Sequence, residues 1–78
     1  MYLAVKDVKT IDDYKLILTF EDDSVRIFEM KPLLGKGVFK ELKDEKLFKT
    51  VKVSFDSIEW ANGIDVDPET LYEDGVPI

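Results

Sequence analysis

Residues 14–28 read YKLILTFEDDSVRIF, and this stretch decides the fold. On both sides of its acidic centre, apolar and polar side chains alternate, which is typical of two half-buried antiparallel strands. With a two-residue loop at Asp22 and Asp23, Leu18 would face Ile27 on one apolar face. The pattern therefore predicts a hairpin whose register is specified by its own alternation.

The opposite face of this hairpin carries a second apolar pair. In the same register, Ile17 would lie opposite Phe28 and point away from Leu18. An exposed Ile–Phe pair indicates either a helix that covers this face or a surface for contact with a partner. The sequence leaves both alternatives open.

A third strand precedes the hairpin, in the segment YLAVKDVKT at 2–10, and a turn of Ile-Asp-Asp joins the two. Side chains alternate between the two faces of a strand, so Val5 and Val8 would point to opposite faces. This mismatch predicts a bulge or a strand end near Lys6 and Asp7.

The middle of the chain predicts one or two short helices. A proline and two glycines punctuate this part, and the apolar residues beyond them have helical spacing. Asp44 is suited to cap the second stretch. Strand character then returns, and a turn at Phe55 and Asp56 would pair Val53 with Ile58 in a second hairpin.

The C-terminal part of the chain predicts a turn followed by a short helix. The turn is the dipeptide Asn-Gly at 62–63. Asp67 is suited to be the N-cap of the helix, with Pro68 in its first position, where a missing N–H costs nothing. Leu71 and Tyr72 would then pack on the core. We therefore expect most of this acidic segment to serve folding.

Length and composition favour one small α+β domain over residues 1–78, a small antiparallel sheet of two hairpins with these short helices. A chain of this size buries roughly 60% of its surface on folding. It contains no His and no Cys, which removes the commonest general base and the thiolate nucleophiles. We expect a protein that is not an enzyme and has no cofactor. No apolar run is long enough to span a membrane and no signal peptide is recognisable, which indicates a cytoplasmic protein.

Charge is unevenly distributed along the chain. Residues 1–30 carry a net charge of −3, residues 31–52 carry seven Lys against three acids, and residues 53–78 carry seven acids and no base. The total of −6 disfavours direct binding of nucleic acid, which needs a positive surface. The stretch from Lys31 to Lys52 is either a local basic patch or, by preference, a solvated helical face.

The segment DVDPE at 65–69 is the best candidate for a metal site on paper. It offers Asp65, Asp67 and Glu69, but it lacks the glycine and the terminal Glu of a calcium-binding loop. As a helix cap, Asp67 would already accept backbone N–H groups. We therefore expect no metal site.

Taken together, three segments resemble the bacterial domain-of-unknown-function family 2442 over nearly the whole chain. They are DYKLILTFEDDSVRIFEMKPLL, GVFKELKDEKLFKTVKV and IEWANGIDVDPETLY. One departure is that the family usually has Gly in the hairpin turn where this chain has Asp23. The most specific part is the ending, with Trp60, Gly63, Asp65, Pro68, Leu71 and Tyr72 in this spacing.

This resemblance implies a small α+β domain with an antiparallel sheet and no established activity. Members of the family often sit beside a gene for another small protein, in an arrangement like a toxin–antitoxin pair. An acidic domain that neutralises a basic partner fits the charge of residues 53–78.

The leading hypothesis is an antitoxin-like module that binds a small basic protein, and a homodimer is a further alternative. A different class of function is a nucleic-acid-linked regulator that uses the Lys31–Lys52 patch. The residues that we predict to contact a protein partner are Ile17, Phe28, Asp65, Glu69, Glu73 and Asp74.

Overall fold

A computed structural model describes residues 4–78 of the chain. It confirms an α+β fold in which two antiparallel sheets enclose one core. The strands are β1 (Val5–Ile11), β2 (Lys15–Phe20), β3 (Val25–Glu29), β4 (Lys52–Ser54), β5 (Ser57–Glu59), β6 (Asp65–Val66) and β7 (Val76–Pro77). The α-helices are α1 (Glu45–Phe48) and α2 (Pro68–Asp74), and 3-10 helices span Lys31–Leu33 and Gly37–Lys43. Within residues 4–78, no helix is long and apolar enough to cross a membrane.

The larger sheet has the strand order β1-β2-β3-β7. Its central hairpin forms as predicted, but the predicted register is wrong by one residue. Leu18 lies opposite Arg26, and Ile27 lies opposite Ile17.

The cause is a loop of three residues in place of two. Phe20 donates its N–H to the Ser24 carbonyl and accepts the N–H of Asp23, each at 2.9 Å. Asp23 has a φ of 68°, while Glu21 and Asp22 have negative φ. This is a type I turn followed by one left-handed residue, a common three-residue hairpin connection.

The shift exchanges the faces of β3, because side chains alternate along a strand. Phe28 lies opposite Leu16 and is 4% exposed, so it belongs to the core. The predicted exposed pair of Ile17 and Phe28 is therefore wrong. Ile17 has Ile27 as its neighbour on the outer face.

β1 confirms the predicted bulge. Its register against β2 shifts between Val5 and Asp7. This shift lets both Val5 and Val8 face the core, although they have opposite parity. The N–H of Val5 bonds to the Asp56 carbonyl at 2.9 Å, which joins the larger sheet to the smaller one.

The smaller sheet has the order β4-β5-β6, and its first hairpin is as predicted. Val53 lies opposite Ile58. Both loop residues are left-handed, with a φ of 48° at Phe55 and 68° at Asp56. These values define a type I′ turn, whose twist matches that of its strands.

The middle of the chain is helical as predicted, although its longer element is a 3-10 helix, Gly37–Lys43. α1 begins after Asp44, whose carboxylate accepts the N–H of Lys46 at 3.0 Å. This confirms Asp44 as an N-cap. The two helices cover the core through Leu42 and Phe48.

α2 and β7 close the other side of the core, and Arg26 holds them there. Its guanidinium lies 4.0 Å from the centre of the Tyr72 ring, and its Nη1 donates to the Gly75 carbonyl at 3.1 Å. Gly75 comes so close that an added Cβ would lie 2.6 Å from the Leu71 carbonyl oxygen. These contacts compensate for placing a cation on the core side of β3.

Candidate interaction surface

The motif at the end of the chain consists mostly of residues that fold it. Trp60 is 1% exposed, and its Nε1–H donates to the Phe48 carbonyl at 2.9 Å. Leu71 is fully buried, and the Tyr72 ring meets the edge of Phe20. The predicted packing of Leu71 and Tyr72 on the core is confirmed.

Two further motif residues shape the backbone. Gly63 ends the predicted turn with a φ of 88°, a conformation in which other residues are strained. Pro68 is the first residue of α2, and Asp67 before it accepts the N–H of Glu69 at 2.9 Å. The predicted N-cap is confirmed.

Asp65 is the one member of the motif without such a role. Its side chain is exposed on β6, and within residues 4–78 its carboxylate has no hydrogen bond or ion pair. It lies directly opposite Glu59 on β5. Like charges in directly opposite positions of a sheet destabilise it. On its other side Glu59 lies opposite Lys52 of β4, so this row across the sheet holds one Lys and two carboxylates. One of the two negative charges is therefore left without a cation in the facing position.

Phe55 is the second feature that folding does not explain. It stands at the tip of the β4–β5 hairpin and is 98% exposed. Its left-handed backbone suits Asn, Asp or Gly, whereas an aromatic side chain is strained there. The chain thus holds an aromatic ring in water at a position that favours other residues.

These residues border one hollow of about 420 Å³ on the outside of the smaller sheet. We call it the acidic hollow, and it is defined by Phe55, Glu59, Asp65 and Asp67. Among the residues that the structure describes, its lining holds three carboxylates and no Lys or Arg, and Lys52 lies next to it, opposite Glu59 on β4. Within residues 4–78, no three acidic side chains are grouped to hold a metal ion. The hollow therefore offers an aromatic contact and negative charge.

The predicted contact residues are only partly brought together. Asp65, Glu69, Glu73 and Asp74 are all exposed, but Asp74 lines a different groove, beside Ile27 and Val76. Sequence reasoning did not select Phe55 and Glu59 as candidates. The available signal was a Phe in a tight turn, where Asn-Gly is the favoured pair.

The Lys-rich segment forms a solvated surface. All seven of its lysines are exposed, and Glu41, Asp44 and Glu45 are exposed among them. The 3-10 helix Gly37–Lys43 and α1 turn their apolar side chains inward and leave these charges in water. The segment is therefore a solvent-exposed face that is rich in Lys.

Fold and surface together define a small α+β domain whose hairpin tip presents an aromatic residue beside carboxylates. The model of the family described as Protein of unknown function (DUF2442) matches residues 5–77. The chain belongs to this family. Comparison with curated proteins and with solved structures found no match.

Proposed function

We propose that this protein is a non-enzymatic interaction module that binds a small basic protein through the acidic hollow. The observation that carries the proposal is Phe55, which is 98% exposed at a left-handed turn position. Residues that cost stability and serve no internal contact are typical of functional sites. A partner that covers the ring would remove it from water.

Charge supports a basic partner. Glu59 and Asp65 oppose each other across the sheet, and Asp67 lies beside them in the same hollow. Lys52 faces Glu59 on β4, which leaves Asp65 and Asp67 for a Lys or Arg of a partner, and that cation could also stack on the Phe55 ring. Long-range attraction between a chain of net charge −6 and a basic protein would also accelerate their encounter.

The resemblance to family 2442 indicates which kind of partner to expect. Its gene arrangement favours an antitoxin-like role in the bacterial cytoplasm, in which an acidic domain neutralises a small basic protein. Aromatic anchors with charged surroundings are typical of the residues that dominate such interfaces.

The experiment is affinity capture from native cells with the wild-type chain and two variants. Phe55→Asn removes the ring and leaves a residue that suits the turn, so the variant should fold at least as stably as the wild type. Asp65→Asn removes one of two opposed charges. We expect both variants to lose a small basic protein that the wild type retains, and its retention should weaken as salt increases.

Val38→Asn is the matched control, because Val38 is an exposed apolar residue on the Lys-rich side of the molecule. Loss of the partner in this control as well would show nonspecific capture. Retention of the partner by Phe55→Asn would refute the role of the acidic hollow.

Nucleic acid is the alternative outcome of the same capture. The double variant Lys40→Ser and Lys43→Ser changes two exposed lysines of the 3-10 helix Gly37–Lys43. If the captured ligand is nucleic acid, this variant should lose it and Phe55→Asn should keep it. That result would replace the protein partner with a nucleic-acid-linked role.

A further inference from the structure

The outer face of the larger sheet is apolar at its centre. Strand register places Ile17 beside Ile27, and Ile27 beside Val76. Val25 and Thr19 form the next row. We call this surface the outer sheet face and define it by Ile11, Ile17, Thr19, Val25, Ile27, Val76 and Ile78.

Within residues 4–78, the packing elements lie on the other side of the sheet. The core cluster takes Leu16, Leu18, Phe20 and Phe28 from the inner face and none of the residues that define the outer sheet face. Ile11, Val76 and Ile78 are exposed by 38%, 63% and 71%. A contiguous apolar surface of this kind marks an interaction site.

The charges around this surface differ from those of the rest of the chain. Lys9 and Lys15 share the outer face of the sheet with Asp7 and Glu29, and Asp74 lies at its edge beside Ile27 and Val76, so the surface carries charges of both signs. A surface that carries charges of both signs can complement a second copy of itself. This mixture of charges points to a second copy of the chain.

Strand register shows how two copies would fit. A two-fold axis that runs along the strands between β2 and β3 would place Ile17 of one copy on Ile27 of the other. The same axis would bring Lys15 of one copy to Glu29 of the other. Within one chain Lys15 and Glu29 are opposite neighbours, yet they do not form an ion pair there. Both charges are therefore available to a second copy.

We infer that the chain forms a two-fold dimer through the outer sheet face, with Ile17 and Ile27 at its centre and two reciprocal Lys15–Glu29 pairs. Strand spacing and rise give a face of about 19 Å by about 17 Å. Two such faces bury about 650 Å² in total, which places the dimer among weak interfaces, well below about 1,200 Å². The inference is independent of the acidic hollow, which lies on the smaller sheet.

The test is the concentration dependence of mass in analytical ultracentrifugation, with circular dichroism to confirm folding. Ile27→Lys should raise the dimer dissociation constant at least about tenfold, because it places a charge at the centre of the interface. If Ile27→Lys fails to fold, the exposed variant Ile78→Lys, at the margin of the same face, takes its place.

The charge pair gives the sharper test. Lys15→Glu should raise the dissociation constant about tenfold, because it sets Glu against Glu at two symmetric positions. The double variant Lys15→Glu and Glu29→Lys restores opposite charges across the axis and should return the constant to within about threefold of the wild type.

Phe55→Asn is the control, because Phe55 lies in the acidic hollow, and it should leave dimerisation unchanged. Partner binding and dimerisation are therefore tested by different variants. A wild-type chain that stays monomeric up to about 1 mM would overturn the inference. So would a dimer that Ile27→Lys does not weaken, or a double variant that dimerises no better than Lys15→Glu.

Discussion

Asp23 holds a left-handed backbone conformation that favours Gly. Its φ of 68° carries a steric cost that Gly lacks, although Asp tolerates the region better than most residues. Its carboxylate also pairs with the Lys6 ammonium, beside the bulge of β1. This ion pair is a contact that Gly at position 23 could not make.

We predict that Asp23→Gly stabilises the fold by about 0.5–1 kcal/mol in a Lys6→Met background, because strain is relieved and no ion pair is lost. The gain should be smaller with Lys6 present. Urea unfolding of the wild type, Asp23→Gly, Lys6→Met and the double variant measures both effects.

Asp22→Gly is the control for this change. Asp22 has a negative φ, and its Oδ1 accepts the N–H of Ser24 at 3.0 Å. The substitution should therefore destabilise the hairpin. A stabilising effect here, or a lower urea midpoint for Asp23→Gly in the Lys6→Met background, would contradict the assigned loop.

Asp22 also makes stability depend on pH. The hydroxyl and the N–H of Ser24 hold the pKa of its carboxyl below the ordinary 3.8. A carboxyl with a lowered folded-state pKa contributes stability above the unfolded-state pKa and loses it as the pH falls through the folded-state value. The affected window is therefore acidic, at pH 3.8 and below.

We predict that Asp22→Asn flattens the loss of stability in this acidic window. Asn can still accept the Ser24 N–H, so the turn is kept while the titrating group is removed. Thermal unfolding between about pH 5 and about pH 2 compares the two chains. Equal slopes would show that Asp22 makes no contribution to acid unfolding.

Among the elements, the central hairpin shows where sequence reasoning succeeded and where it failed. Alternation predicted both strands, but the segment at 21–23 permits loops of two or three residues. The loop length decides which face of the sheet each side chain of β3 occupies. The apolar pattern favoured Ile27 over Arg26 on the inner face. Arg26 is accepted there because Tyr72 and Gly75, far along the chain, contact its guanidinium, although its buried Nε has no hydrogen-bond partner within residues 4–78. No local pattern contains that information.

The end of the chain was predicted more accurately, because caps and turns are local. For α2 we predict that Asp67→Ala costs about 1 kcal/mol, the usual cost of a lost N-cap. Trp60→Ala should cost at least about 3 kcal/mol, because it leaves a cavity and an unpaired Phe48 carbonyl. Chemical denaturation measures both. Two equally small effects would show that this segment is not part of the core.

Close packing of α2 on β3 gives a prediction at Gly75. A Cβ there would lie 2.6 Å from the Leu71 carbonyl oxygen and 3.1 Å from Arg26 Cβ. Gly75→Ala should therefore destabilise the fold by about 1–3 kcal/mol. Gly35→Ala is the control, because an added Cβ there meets no atom within 4 Å. A melting temperature that is unchanged by Gly75→Ala would contradict this packing.

At the scale of the whole molecule, the fold class and the acidic C-terminal region were predictable, but the surfaces were only partly so. Composition located the negative charge in residues 53–78, and the structure concentrates part of it in the acidic hollow. The pairing of Glu59 with Asp65 depends on strand order, which the sequence pattern did not supply. The contact surface expected at Ile17 is apolar, but Ile27 completes it in place of Phe28.

The late strand β7 has a consequence for the kinetics of the molecule. It pairs Val76 with Ile27, residues that are distant along the chain, whereas β1, β2 and β3 are joined by short loops. The three-stranded meander β1–β2–β3 can therefore form early in folding. Pairing β7 with β3 closes a long loop, and the entropy that this costs is overcome only when α2 and β7 dock. The docked segment should then open and close on its own without unfolding the meander.

Native-state hydrogen exchange can observe this opening. The Ile78 amide, bonded to the Val25 carbonyl at 3.2 Å, should exchange through a lower-energy opening than the Phe20 amide, bonded to Ser24 at 2.9 Å. Arg26→Met should accelerate the first and spare the second, since it releases only the docked segment. Equal opening energies at both amides would mean that the domain is a single cooperative unit.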